Sequence, residues 1–253
     1  MPLSPAHRHA WDLTPAEARA LQIELAGNVE TADRFGTLRS VAGIDIGFEE
    51  EGRVSRAAVA VLALPELHLV EQSVSRRATA FPYVPGLLSF REIPAALEAL
   101  AALQATPDLL LCDGQGFAHP RRFGLACHLG WILDVPCIGV AKSRLVGSFE
   151  EPGAARGSWS LLVDEGETIG AALRTRAGTR PVFVSIGHRV GLRSTIALTL
   201  ACTPRYRLPE TTRQAHRLAS APALARRIAT GGGSRRRSGP APGGTAPPDA
   251  CGS

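Results

Sequence analysis

Lysine is almost missing from this 253-residue chain: Lys142 is the only one among 28 basic residues, and every other fixed positive charge is an arginine. Either Lys142 survives by chance, or it marks a place where a compact ammonium serves and a planar guanidinium does not. Long apolar runs are missing too. No window holds 18 consecutive apolar residues, which excludes a membrane-spanning helix and predicts no membrane partner. The first dozen residues lack a basic start followed by an apolar stretch, so no secretion signal is expected. Cysteine is sparse and unpaired in pattern: Cys112, Cys127, Cys137, Cys202 and Cys251 are odd in number and form no C-x-x-C. That argues against a disulfide framework or a zinc site, and for reduced thiols in a cytoplasmic protein; a monomer is expected.

What remains is the composition of one ordinary globular domain with some chain to spare, 45% apolar. The net charge is +5. Arg235, Arg236 and Arg237 against Asp249 carry part of that excess near the end, leaving about +3 for the rest. Such a balance suits a polyanion but points to one only weakly. From Thr230 on, Gly231-Gly-Gly-Ser234, three arginines and a Pro/Gly/Ala stretch cannot bury enough apolar surface to offset ordering, so residues 230–253 are predicted to be a disordered tail to a domain of residues 1–229.

Thr14-Pro15-Ala16-Glu17 has the form of a capping box, opening a helix to about Ala26. Three strand-like runs follow, Ser40–Phe48, Arg56–Leu64 and His68–Arg77, the first two separated by Glu50-Glu51-Gly52. Short polar turns between such runs predict an antiparallel meander. A Pro-rich loop leads to a helix over Leu88–Leu103, with Pro94 near its start. Leu109–Asp113 and Cys137–Val140 read as buried parallel strands, with a Gly-rich loop and a helix over Phe123–Leu133 between them. Weaker strands are expected near Trp159–Val163, Ile169–Arg174 and Pro181–Ser185, and helices near Leu192–Cys202 and Glu210–Leu218. Three antiparallel strands followed by parallel ones, flanked by helices, is an α/β arrangement of the ribonuclease H-like type.

Within that frame two carboxylates stand out. Asp45 lies inside the apolar strand Val41-Ala-Gly-Ile-Asp-Ile-Gly-Phe48, and Asp113 ends Leu109-Leu-Leu-Cys-Asp113. A carboxylate in an apolar strand is costly unless paired or bound to metal. With the first and fourth strands side by side, the two would approach each other and call for a cation. Glu92, on the preceding helix, could add a third hard oxygen donor, a set suited to Mg²⁺ or Mn²⁺. An Asp at a strand end can also simply cap a turn. Here each is flanked by glycines, Gly43 and Gly47, Gly114 and Gly116, which would let a phosphate or base approach the backbone.

Five segments resemble the endonuclease V (deoxyinosine 3′-endonuclease) family. They are Phe81-Pro-Tyr-Val-Pro-Gly-Leu-Leu-Ser-Phe-Arg-Glu92, Asp113-Gly-Gln-Gly-Phe-Ala-His-Pro-Arg-Arg-Phe-Gly124, Val135-Pro-Cys-Ile-Gly-Val-Ala-Lys-Ser-Arg-Leu145, Pro181-Val-Phe-Val-Ser-Ile-Gly-His188 and Pro209-Glu-Thr-Thr-Arg-Gln-Ala-His216. The resemblance covers about Trp11 to Leu218. It implies an enzyme that cuts DNA at the second phosphodiester bond 3′ to deoxyinosine, leaving 3′-hydroxyl and 5′-phosphate ends. It implies that Asp45, Asp113 and Glu92 hold Mg²⁺, with Mn²⁺ as a substitute, and that Lys142 and His216 act in catalysis. Pro82, Tyr83, Val84 and Pro85 would form a wedge that enters the duplex, and Gly114, Gly116 and His119 the pocket for the flipped base. The chain departs from the family at Gly191-Leu192-Arg193-Ser194, where an Asp is usual near the helix start, and at Thr211, where proline is more usual.

Three other readings stand beside this one. An inosine-specific ribonuclease could share the fold. A nucleic-acid binder could have lost catalysis, although every matched acidic residue is present. An actin-like phosphotransferase is suggested by Gly43-Ile-Asp-Ile-Gly47, but that fold needs two halves and the chain has room for one.

Overall fold

The computed structural model of the chain describes residues 3–220; the tail expected from Thr230 lies outside the described residues. Helix α1 (Pro15–Ala26) opens with the expected capping box. The Thr14 hydroxyl accepts the Glu17 N–H at 3.3 Å while the Glu17 carboxylate accepts the Thr14 N–H at 2.7 Å. Such a cap stabilises a helix by about 1 kcal/mol.

Strands β1 (Ser40–Glu49), β2 (Val54–Ala63) and β3 (Leu69–Ala78) form the antiparallel meander, with Asp45 opposite Ala58. Strands β4 (Leu109–Cys112) and β5 (Cys137–Ala141) add in parallel next to β1, with Ile44 opposite Cys112. The weaker strands β6 (Trp159–Asp164), β7 (Glu167–Leu173) and β8 (Val182–His188) extend the same sheet in antiparallel sense, in the order β3-β2-β1-β4-β5-β8-β7-β6. A two-residue turn at Glu165 and Gly166, both at positive φ, joins β6 to β7 and permits no other sense.

Alternation along β1 and β4 divides the core. Ala42, Ile44, Leu110 and Cys112 pack under α2 (Leu88–Ala101) and α3 (Leu125–Leu133). Val41, Leu109 and Leu111 lie on the opposite face with Ile138, Val184 and Ile196, the last on α4 (Leu192–Ala201). Helix α5 (Glu210–Ser220) also covers β1. It sits so close that a Cβ on Gly43 would lie 2.1 Å from the Thr211 backbone carbon. The glycine is thus required by helix packing, not by an approaching ligand.

The departure at Arg193 is compensated from elsewhere in the chain. Asp33 accepts the Gly191 N–H at 2.7 Å and the Ser194 hydroxyl at 2.6 Å, supplying the start of α4 with its acceptor. Cys112, Cys127, Cys137 and Cys202 are free and buried. No helix among the described residues is long and apolar enough to cross a membrane.

Candidate active site

The parallel pairing of β1 and β4 brings the two predicted aspartates together. Asp113 follows Cys112 directly, and its N–H donates to the Ile44 carbonyl at 3.2 Å. Asp45 and Asp113 are therefore neighbours one step beyond the last strand pair, on the same face of the sheet. Each meets a cationic or cation-forming side chain. Lys142, one residue past the end of β5, donates to Asp113. His216 of α5 lies with Nδ1 2.8 Å from Asp45 Oδ2. Arg207 fixes the Lys142 backbone, donating from Nη2 to its carbonyl at 2.8 Å and to that of Pro181 at 2.8 Å.

Glu92 projects from α2 into the same group and is buried. Burial first, then the charges of Asp45 and Asp113, push its carboxyl up to about 8. Burial also raises Asp113, against the lowering effect of Lys142. Among the described residues no three His, Cys, Asp or Glu side chains stand at metal-ligand spacing, and the aspartates are engaged by Lys142 and His216 instead. The donor chemistry nonetheless fits a hard divalent cation. Three carboxyl groups close enough that Asp45 and Asp113 help to lift Glu92 far from its ordinary value form a donor set made only of oxygen.

Beside this group opens a cavity of about 380 Å³, lined by Asp113 and Lys142 together with Tyr83, Val84, Gly114 and His119. The Pro82–Pro85 loop stands at its rim. Phe81 and Leu87 anchor its two ends in an apolar cluster with Phe90, while Tyr83 is 71% exposed. Pro82 does not line the cavity.

Two predicted pocket residues have other roles. Gly116 is buried and does not line the cavity; its N–H donates to Ser185 Oγ at 2.9 Å, and a Cβ there would meet the Ile186 carbonyl at 2.1 Å. The sequence reading of it as a base contact is corrected: its missing side chain makes room for β8. His119 does line the cavity, but both ring nitrogens are committed. Nδ1 accepts the Arg121 N–H at 3.2 Å and Nε2 donates to the Gly86 carbonyl at 3.1 Å. Burial, reinforced by Arg121, lowers its pKa to about 4, so the ring is neutral at pH 7.

Gly86 is where the sequence reading missed most. Its carbonyl also accepts from Arg121 Nη2 at 2.7 Å, and Arg121 Nε donates to Gln22 Oε1 at 2.6 Å. Gln22 in turn donates to the Phe123 carbonyl at 3.0 Å. On the loop's other side Arg91 donates to the Phe81 and Gly52 carbonyls at 3.2 and 2.9 Å. The exposed loop thus rests on a partly buried polar frame. One signal was visible: Ala18, Gln22 and Leu25 form the buried stripe of α1, and a glutamine at helical spacing among apolar residues announces a buried partner.

Against known proteins, residues 23–217 match the family described as Endonuclease V. Endonuclease V of Nostoc sp. is 56% identical over 213 residues, 84% of this chain and 96% of its own. The solved structure of endonuclease V from Streptomyces avermitilis is 48% identical, with a TM-score of 0.80 over 87% of this chain and 96% of that one. An endonuclease V from Ciona intestinalis, solved in complex with a 23-mer DNA containing an inosine followed by a ribo-adenosine, is 27% identical, with a TM-score of 0.73 over 82% of this chain and 97% of that one. The chain belongs to the endonuclease V family, and it is a nuclease on a ribonuclease H-like sheet.

Proposed function

We propose that this chain is a cytoplasmic DNA-repair endonuclease that recognises deoxyinosine and hydrolyses the second phosphodiester bond on its 3′ side, leaving 3′-hydroxyl and 5′-phosphate ends. The observation that carries the reading is the meeting of Asp45, Glu92 and Asp113 with Lys142 and His216, of which Asp113 and Lys142 also line a cavity rimmed by an exposed tyrosine. The Ciona relative holding inosine-containing DNA supports the choice of lesion.

Asp45, Asp113 and Glu92 would hold Mg²⁺, or Mn²⁺ in its place. Such an ion supplies Lewis acidity toward a phosphoryl oxygen and a more acidic bound water. The protein's own groups do the rest. Lys142 brings an ammonium to the carboxylate edge, where it meets the charge that builds on a phosphate. His216 is oriented by Asp45 through Nδ1, and its Nε2, without a hydrogen-bond partner among the described residues, is left to exchange a proton with water or a leaving oxygen. The cavity's 380 Å³ is in the range that takes a single base, and Gly114 can present only backbone to it. Tyr83 would fill the gap left by the flipped base.

The test is to map cleavage of matched strands with Mg²⁺: inosine in DNA, adenine in DNA and inosine in RNA. Nicking of the inosine DNA alone, one nucleotide beyond the lesion on its 3′ side, is expected. Faster cleavage of the RNA would replace DNA as the substrate, and equal cleavage of the adenine strand would remove lesion recognition from the account.

A further inference from the structure

A second cavity, about 250 Å³, shares Asp113 and Lys142 with the first but no other residue. Its remaining wall comes from Leu208, Thr212, Arg213, His216 and Arg217. The Asp113–Lys142 pair therefore stands between two recesses of different character. The first offers glycine backbone and a tyrosine; the second offers arginine and the face of α5.

Nothing in the cleavage chemistry uses these arginines, yet one is held in place and the other reaches into solvent. Arg213 is tied to Glu210 at 2.6 Å, and its guanidinium lies 3.5 Å from the centroid of the Tyr206 ring. Arg205 approaches the same ring at 5.5 Å. Arg217 is exposed and has no ion-pair partner among the described residues. The segment carrying Tyr206 is fixed by Arg207, which bonds the backbone at Arg180, Pro181 and Lys142. Arginine forks suit phosphate oxygens, and a half-exposed tyrosine suits the face of a base.

We infer that Arg213, Arg217 and Tyr206 form a subsite for the strand beyond the first nucleotide on the 3′ side of the cut. This rests on the proposed reading. With the lesion base in the first cavity and the scissile phosphate at Asp113 and Lys142, the strand leaving toward its 3′ end crosses the second cavity. The enzyme would then measure the displaced cut by holding the strand on both sides of the bond.

The experiment uses the full chain and two inosine-containing single DNA strands with the same 5′ arm, one ending two and the other six nucleotides beyond the inosine. Affinity is measured in EDTA and cleavage in Mg²⁺. Wild type is expected to bind the longer strand about tenfold more tightly, the scale of one charge-assisted contact. Arg217→Gln is expected to lose most of that gain, to bind the shorter strand as wild type does, and to show a salt dependence shallower by about 0.7 in log–log slope. Arg213→Gln is a second variant, read beside its melting temperature. Equal losses on both strands, or no loss on either, overturn the subsite. Wild type that binds with the expected length dependence but nicks no inosine strand supports the subsite and overturns the proposed function. Wild type that nicks both but binds them equally overturns the subsite alone.

Discussion

The imidazole Nδ1 of His216 lies 2.8 Å from Asp45 Oδ2 across 171 positions of sequence. That contact exists because α5 lies directly on β1, and α5 can lie there because position 43 has no side chain.

Gly43→Ala should therefore act at a distance. Its Cβ would fall 2.1 Å from the Thr211 backbone, so α5 must lift or tilt, at a cost of about 1–3 kcal/mol, carrying His216 off Asp45. Gly47→Ala is the control, since its nearest neighbour, the Ala219 carbonyl, is at 3.6 Å. Thermal melting and cleavage rates of both variants check this. Equal melting temperatures would contradict the close packing.

Arg121→Lys should loosen the Pro82–Pro85 loop without touching the chemistry. A lysine cannot bridge Gln22 and the Gly86 carbonyl at once, and losing one such charged hydrogen bond costs about 1.5–3 kcal/mol. KM for inosine-containing duplex should rise roughly ten- to a hundredfold while kcat holds. A fall in kcat at unchanged KM would instead place Arg121 at the reacting atoms.

Tyr83→Ala should leave stability unchanged, because the ring is exposed, and should weaken binding to inosine duplex by about one to two decades. Pro82 and Pro85 restrict the loop and reduce the ordering cost of inserting that ring. The loss on a single strand should be smaller, since no stack needs to be held open. Binding curves on both substrates decide it; equal losses mean that the ring packs the pocket wall.

Acid should destabilise the fold below pH 6.5. Burial lowers the pKa of His9, His119, His128 and His188, so the unfolded chain takes up protons there that the folded chain does not. Each contribution is present above the unfolded value and is lost as pH falls toward the folded one. For His119, between 6.5 and about 4, the full effect is roughly 3 kcal/mol. Glu92, between 4.5 and about 8, and the raised Asp113 work the other way, but they are two groups against four histidines. Melting temperatures from pH 7.5 to 5 should fall, and less so in His119→Gln. A flat profile would contradict the neutral buried histidines.

Much of this was legible because it obeys local rules. The Thr14 box, the alternation along β1 and the apolar run of β4 announce their elements, and Asp45 and Asp113 stand out as charges where apolar residues belong. The β1–β4 pairing followed from the order of the elements. What could not be read depends on which backbones touch. Gly43 and Gly116 looked like room for a ligand and proved to be room for α5 and β8. Asp33, which caps α4 from 158 positions away, carries no local sign of that role. Arg121 looks like any loop arginine until Gln22 and Gly86 are brought beside it.

If Asp45, Glu92 and Asp113 are the cleavage site and not merely a buried acidic cluster, replacing either aspartate must abolish chemistry before it abolishes binding. The most direct measurement is single-turnover nicking of an inosine-containing DNA strand at ordinary Mg²⁺ by Asp45→Asn and Asp113→Asn, beside their affinity for the same strand. Either amide removes a charge and an oxygen donor while keeping the shape. Loss of cleavage with inosine-dependent binding largely intact is expected; cleavage above about a tenth of the wild-type rate in either variant, an added barrier of less than about 1.4 kcal/mol, would show that these carboxylates are not the cleavage site.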